Sequence, residues 1–564
     1  MLERLFVRPK RKSRKFLFGL NNFKSFKENQ LIEIKPLTII CGVNNCGKSS
    51  IIQSLLLSSQ SLELTEKFRG YPLLIRYPYD FREPIYKTSL LFEGDLCHLS
   101  DFYNVLNRYS KDKEFSFNFE IESTKFSVTF FNPYKENPLE AYVKNIDIIG
   151  DGYNLQIESK FEENNDKFNY SCLIKKLNFQ HLLWRCPFGY FKSRKYLSNK
   201  NFEETFIINH LIKDIKVIFN GFLPEKLLLP YDRFSNEINL IIQRFGEGLK
   251  ELKSFKKRIN EELEFILLRT EGKTKDYGRK IIKETYYSFF EYYENKIFED
   301  LLKKFHYIGP LRDEPHRYYQ FYDIRNLDIG NKGQYAAQIL TLEGDLQIPT
   351  FKTFEIKDGK LIFEKVKLKD LSLKKGLSIW FKKLNLPSIN PKKLEHILFK
   401  IVVNLQKSDE YVTLQDVGFG ISQILPVYVE SLRMEKGHTL VLEQPEIHLH
   451  PSMQSKLADF LISMAISGKN FLIETHSEHL INRICLRIAQ DHSNTIKNII
   501  SLVFVEPPKE DKTGKFIGSK IKRIILNNYG EIENWPVGFF DDLDSGKIIQ
   551  AAIKKRKKEA NGEI

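Results

Sequence analysis

The chain has 564 residues, 42% of them hydrophobic, with 87 Lys and Arg against 72 Asp and Glu and a formal net charge of +15. That length exceeds one hydrophobic core and predicts two or three structural units, while the diluted basic excess points to an acidic partner such as nucleic acid. The six cysteines (41, 46, 97, 172, 186, 485) form no CxxC pair and no zinc spacing, and no apolar run approaches the length of a bilayer or of a signal peptide. A disulfide framework, a structural zinc and a membrane span are therefore excluded as expectations, and a cytoplasmic setting fits.

In chain order, the basic run 8–15 reads as a solvated tail, as does a second run at 554–558. Residues 16–20 and 31–40 read as strands. Directly after the apolar run Leu37-Thr38-Ile39-Ile40-Cys41 comes Gly42-Val43-Asn44-Asn45-Cys46-Gly47-Lys48-Ser49, and then the helix-like Ser50-Ile51-Ile52-Gln53-Ser54-Leu55-Leu56. Strand, glycine loop and helix in this order make a P-loop. The glycines let backbone N–H groups curl around phosphate, Lys48 bridges the outer phosphates, and Ser49 holds Mg²⁺ at the positive end of the helix. The candidate nucleotide-binding set is Gly42, Asn44, Asn45, Gly47, Lys48, Ser49 and Ser50, for ATP or GTP. The competing reading is a plain glycine turn.

From about 86 to 180, alternating stretches such as Phe115–Phe119 and Phe126–Phe130, with a turn at Gly150-Asp151-Gly152, predict antiparallel strands. From about 200 to 305, Leu249, Leu252, Phe255, Ile259, Leu263 and Ile266 among charges predict long amphipathic helices without sustained heptads. After Tyr307-Ile308-Gly309-Pro310-Leu311-Arg312 the pattern turns mixed. From about 397 it is α/β, with strands at 399–405, 411–414, 439–442 and 471–473 and helices at 422–432 and 453–463, which implies a largely parallel sheet. The P-loop lies some 350 residues upstream of these elements, so one ATPase core is split by a long insertion. The expected division is an N-terminal lobe at 1–100, a β subdomain at 101–195, a helical insertion at 196–305, a C-terminal lobe at 306–545 and a basic tail at 546–564.

Three further phrases complete a candidate site. Thr439-Leu440-Val441-Leu442-Glu443-Gln444-Pro445-Glu446 is an apolar strand ending in acid, where a P-loop sheet places the carboxylate of the Mg²⁺ shell. Gly418-Phe419-Gly420-Ile421-Ser422-Gln423 opens a helix suited to a γ-phosphate. Glu474-Thr475-His476-Ser477 closes a strand with a His that can touch that phosphate or orient a water, although a lone His is more often structural. The pair His448 and His450 reads as packing and helix entry rather than metal binding.

This order resembles the ABC-type ATPase heads of the RecF, SMC and overcoming-lysogenization-defect (OLD) proteins. The phrases at 22–26 and 37–40, with 443–451 and 534–541, look like bacterial anti-phage ATPases, and most like the ATPase subunit of Septu-type and retron-associated defence systems. The resemblance implies an α/β fold, a split ABC-type P-loop NTPase head with an antiparallel β subdomain and a long, largely helical insertion. It implies Walker A at Gly42, Gly47, Lys48 and Ser49 and a degenerate signature at Gly418, Gly420 and Ser422. Ser49 and Glu443 would serve the metal, and Glu443, Gln444, Glu446 and His476 would form the catalytic set, with His476 as the switch histidine. The implied cofactors are ATP and Mg²⁺. The implied partners are a second copy of the chain or a higher homo-oligomer, a separate HNH-type nuclease, and in retron-associated systems a reverse transcriptase with its RNA/DNA product; nucleic-acid contact is implied as well.

Two positions depart from the pattern. Gln444 stands where many relatives place the general-base Glu, and an amide cannot take a proton from water. The signature lacks a Leu-Ser-Gly-Gly run. Three functions compete: an ATPase that controls a separate nuclease, a RecF/SMC-like DNA-repair ATPase, and a nucleotide-bound scaffold that does not turn over. A nuclease within the chain would need Glu506 and Asp542-Leu543-Asp544 to assemble as a metal site, but their sequence surroundings argue against it.

Overall fold

The computed structural model describes residues 15–69, 89–121, 124–133, 137–150, 153–164, 167–177, 216–220, 222–230, 284–288, 305–322, 328–366, 370–404, 411–510, 514, 516–534, 536 and 553–558. The chain forms two compact units, Met1–Phe23 with Leu57–Leu302, and Lys24–Leu56 with Lys303–Ile564. The P-loop thus shares a unit with the C-terminal α/β elements across a long intervening segment, which is the split head.

In the P-loop unit, six strands line up in the order Phe305–Ile308, Thr439–Glu443, Asn470–Glu474, Leu37–Gly42, Ile500–Glu510, Phe516–Ile524. All neighbours run parallel except the last pair. Leu37–Cys41 and Thr439–Leu442 are buried without alternation, as expected of strands covered on both faces. Registry places Glu443 opposite Glu474 and Glu474 opposite Ile40, so the acidic strand, the His strand and the P-loop strand end at one edge of the sheet. That edge is where such sheets bind ligands.

Helices Gly418–Arg433, Pro451–Ile466 and Glu478–Gln490 contribute to the core. Tyr428 stacks on Phe460 at 3.9 Å, with Trp380 edge-on to the same ring at 5.0 Å. Pro451 sits in the first turn of its helix, and His450 Nδ1 accepts the Ser452 N–H at 3.3 Å. His450 is a cap, in line with the helix-entry reading.

Two strands expected in the parallel sheet lie elsewhere. Leu398–Asn404 pairs antiparallel with Tyr319–Gln320, Ser388–Lys393 and Tyr411–Thr413 in a separate small sheet. Alternation along a strand reports which face is buried and not which neighbour it pairs with. The basic run 554–558 is also not simply solvated: Arg556 donates to the carbonyls of Ile488, Ala489 and Asn528 and covers the Tyr529 ring.

The other unit carries an antiparallel sheet in which Phe16–Asn21 pairs with Glu114–Ile121, followed by Thr124–Phe131, Tyr142–Gly150, Tyr153–Asn164, Lys167–Leu177, Lys216–Asn220, Leu223–Pro230 and Glu284–Ser288. Its core is aromatic. Phe18, Phe115, Phe117, Phe119, Phe130 and Phe222 are buried, with neighbouring ring centroids 5.3 to 6.5 Å apart. The alternating Phe pattern at 115–119 is the inward face of this sheet. Within 196–305 the described residues include the three strands named last; the apolar run 249–266, read as helical, lies outside the described residues. Among the described residues, no helix is long and apolar enough to cross a membrane.

Candidate nucleotide-binding and catalytic site

The P-loop is built tightly. A Cβ on Gly42 would lie 2.5 Å from the Val505 carbonyl, and one on Gly47 would lie 2.1 Å from Ser25 Oγ. Both glycines have positive φ, at 152° and 101°, and Asn45 has φ 58°. Only glycine satisfies both the space and the backbone at 42 and 47. The tip, Val43, Asn44 and Asn45, is exposed, whereas Lys48 and Ser50 are buried at the start of the helix Lys48–Arg69. Ser50 N–H donates to the Gly47 carbonyl at 3.1 Å, closing the loop onto the helix.

Lys48 Nζ donates to the carbonyls of Val43 at 2.8 Å and Gly42 at 3.2 Å and lies 4.0 Å from Glu474 Oε1. Ser49 Oγ donates to Glu474 Oε2 at 2.9 Å. Burial raises the Glu474 carboxyl against the lowering effects of Ser49 and Lys48. One strand further out, Glu443 Oε1 accepts from Tyr307 OH at 3.1 Å. Burial, and then the charge of Glu474, push Glu443 up to about 7.

After the acidic strand the backbone turns at Gln444, which has φ 44° and donates its N–H to the Glu474 carbonyl at 2.7 Å. The turn brings Glu446 under the His strand, where its Oε1 accepts the His476 N–H at 2.7 Å. Burial raises the Glu446 carboxyl, offset in part by that N–H and by Arg312. His476 is held toward its neutral form by burial and by the charge of Lys48. The signature helix begins at Gly418, and a Cβ on Gly420 would sit 3.5 Å from the His448 carbonyl. Ser422 is buried one turn in.

The family described as "AAA ATPase domain" matches residues 18–481, most of the chain. The chain belongs to the AAA ATPase-domain family. A second family, described as "Protein of unknown function (DUF3696)", matches residues 499–546 of this ATPase. No curated protein matches it. Among solved structures it is similar to an SMC head bound to the C-winged helix domain of ScpA, at 11% identity and TM-score 0.32, covering 91% of this chain and 98% of that one. An SMC head with an extended coiled coil bound to the C-terminal domain of ScpA, from Pyrococcus furiosus, gives 12% and 0.30 over 91% and 96%. The SMC head domain from Thermotoga maritima gives 9% and 0.31 over 91% and 100%.

The oxygen donors at the sheet edge of this ATPase suit a divalent cation bound with a nucleotide. Ser49 Oγ and the carboxylates are hard ligands. Among the described residues no group of three or more His, Cys, Asp or Glu side chains makes a metal cage, so phosphate and water oxygens would complete the coordination, as is usual for Mg²⁺. Such a cation, when bound, neutralises phosphate charge.

Three residues here were not singled out from sequence. Glu474 was read only as part of the phrase before His476. Tyr307 and Arg312 were read as a boundary; Arg312 is buried and its Nη2 donates to the carbonyls of Glu443 at 3.3 Å and Gln444 at 3.5 Å. Burial lowers its guanidinium to about 10. The available signal was a Glu closing a strand two residues before the His. Of the suggested nuclease acids, Glu506 is ion-paired to Lys522 at 2.6 Å in an antiparallel pair of strands. Asp542 and Asp544 lie outside the described residues.

Proposed function

We propose that this ATPase is the nucleotide-controlled subunit of an antiviral, anti-phage defence complex, in which ATP with Mg²⁺ governs assembly and a separate HNH-type nuclease does the damage. The observation that carries the reading is Gln444. An amide ends the acidic strand beside an otherwise complete phosphate loop, so the nucleotide acts first as a ligand of assembly and is hydrolysed slowly. The phrases shared with Septu-type and retron-associated ATPases support the partner class, and a reverse transcriptase with its RNA/DNA product belongs to the retron-associated form. We assign Lys48, Ser49, Gly42, Asn44, Asn45, Gly47 and Ser50 to nucleotide binding, with Gly420 and Ser422 supplied by a neighbouring copy. Ser49 and Glu443 serve the metal; Glu446 and His476 organise the attacking side.

A RecF/SMC-like DNA-binding ATPase in repair is the second reading, favoured by the net charge of +15. Cells carrying the operon separate the two. Lys48→Ala should abolish nucleotide binding, measured by calorimetry, and with it protection from phage, because Lys48 is the loop's own cation for the outer phosphates. Full protection by a variant that binds no ATP would reject the defence reading, as would recombination genes in place of a nuclease beside the gene.

A further inference from the structure

The P-loop serine and its carboxylate partner are not the pair that motif order suggests. Ser49 Oγ donates to Glu474 Oε2 at 2.9 Å. Glu443, the acid at the expected place, is held through Oε1 by Tyr307 at 3.1 Å. The two carboxylates stand opposite one another on adjacent parallel strands, so their side chains leave the same face of the sheet. Glu474 is the nearer to the loop, because its strand lies between the acidic strand and the P-loop strand. It is also 4.0 Å from Lys48 Nζ and only 4% exposed. Two buried carboxylates side by side need compensating charge, and a single amine supplies half of it.

We infer that Glu474 is the carboxylate that fixes the divalent-cation position of this ATPase, holding Ser49 Oγ and the cation's water shell, with Glu443 as the outer member of the pair. The inference rests on the nucleotide-site reading above. It places the metal-side acid and His476 on one strand end, two residues apart, so a shift of that strand moves both together.

The test uses the purified full-length chain and two binding readouts: a fluorescent ATP analogue titrated with and without Mg²⁺, and Mn²⁺ binding in the presence of ATP followed by electron paramagnetic resonance. Relative to its own metal-free nucleotide affinity, Glu474→Gln should lose about 10- to 100-fold in Mn²⁺ affinity, the range for removing a carboxylate that organises a metal site. Glu443→Gln should lose less. Ser49→Ala and Glu474→Gln should be non-additive, since one removes the donor and the other the acceptor charge of the same Ser49–Glu474 pair. Wild-type Mn²⁺ affinity in Glu474→Gln, or a larger loss in Glu443→Gln, overturns the inference. Should Glu474→Gln not fold, Glu474→Asp against Glu443→Asp decides the same point, the larger loss falling on whichever residue sets the cation. A wild-type chain that binds no nucleotide overturns the site reading itself, whereas normal wild-type binding with an unaffected Glu474→Gln overturns this inference alone.

Discussion

The amide of Gln444 cannot accept a proton, and the carboxylates around it are already engaged: Glu474 with Ser49, Glu443 with Tyr307, Glu446 with the His476 N–H. Replacing Gln444 by Glu adds a free base at the end of the acidic strand. Steady-state ATPase assays should show slow wild-type turnover and an increase of about 10²- to 10⁴-fold in Gln444→Glu, the usual worth of a positioned base. Glu446→Gln and His476→Ala should lower the residual wild-type rate. Brisk wild-type turnover lost only in Glu446→Gln would show that Glu446 is the working base and Gln444 is idle. The residues legible in the sequence were those with fixed local spacing, such as the P-loop. Glu474 was not, because its contact with Ser49 spans 425 residues, and no local pattern reports a contact that only the strand order creates.

Helix Gly418–Arg433 ends against Lys469, whose Nζ donates to the carbonyls of Ser431 at 2.6 Å and Leu432 at 2.8 Å. An amine at a helix C-terminus satisfies carbonyls that have no partner within the helix. The amine is fully buried, and burial lowers its pKa from 10.5 to about 7, with Glu430 opposing and Lys436 adding to the shift. In that window the unfolded chain binds the proton that the folded chain gives up. Stability therefore rises with pH from about 7 toward the ordinary lysine value, and the contribution is lost as pH falls through the folded value. Lys469→Met removes the titration. Urea unfolding of both proteins should show the wild type gaining on the variant by about 1.4 kcal/mol per pH unit above neutrality; parallel pH profiles would reject it. At this scale the sequence was informative about strands 439–443 and 470–474, whose unbroken apolar runs mark buried parallel strands. It misplaced 398–404 and 411–413, since pairing partners are set by packing between elements rather than within them.

The split head was readable at the scale of the whole chain because the P-loop and the rest of its sheet lie so far apart in sequence, and a P-loop strand needs parallel neighbours. The order of those neighbours was not readable. The same order bears on assembly. Phosphates on the loop would meet Lys48 and the strand ends that carry Glu443, Glu474 and His476, and the loop tip of Val43, Asn44 and Asn45 is exposed. The glycine start of helix Gly418–Arg433 carries a positive helix end that favours an anion, and the proposed function gives that end to the phosphates of a neighbouring copy. ATP is then expected to be sandwiched between two copies in head-to-tail fashion, and sedimentation should show a dimer with ATP and Mg²⁺ that dissociates without them. Lys48→Ala should remain monomeric because it binds no nucleotide. Gly420→Asp tests the other face: a Cβ there meets only ordinary contacts, 3.5 Å from the His448 carbonyl, so the variant should fold and bind ATP on its own loop. Its carboxylate would repel a neighbour's phosphates, so it too should stay monomeric. ATP-driven dimers of Gly420→Asp as tight as wild type, or a wild type that is monomeric at every concentration, would reject the sandwich.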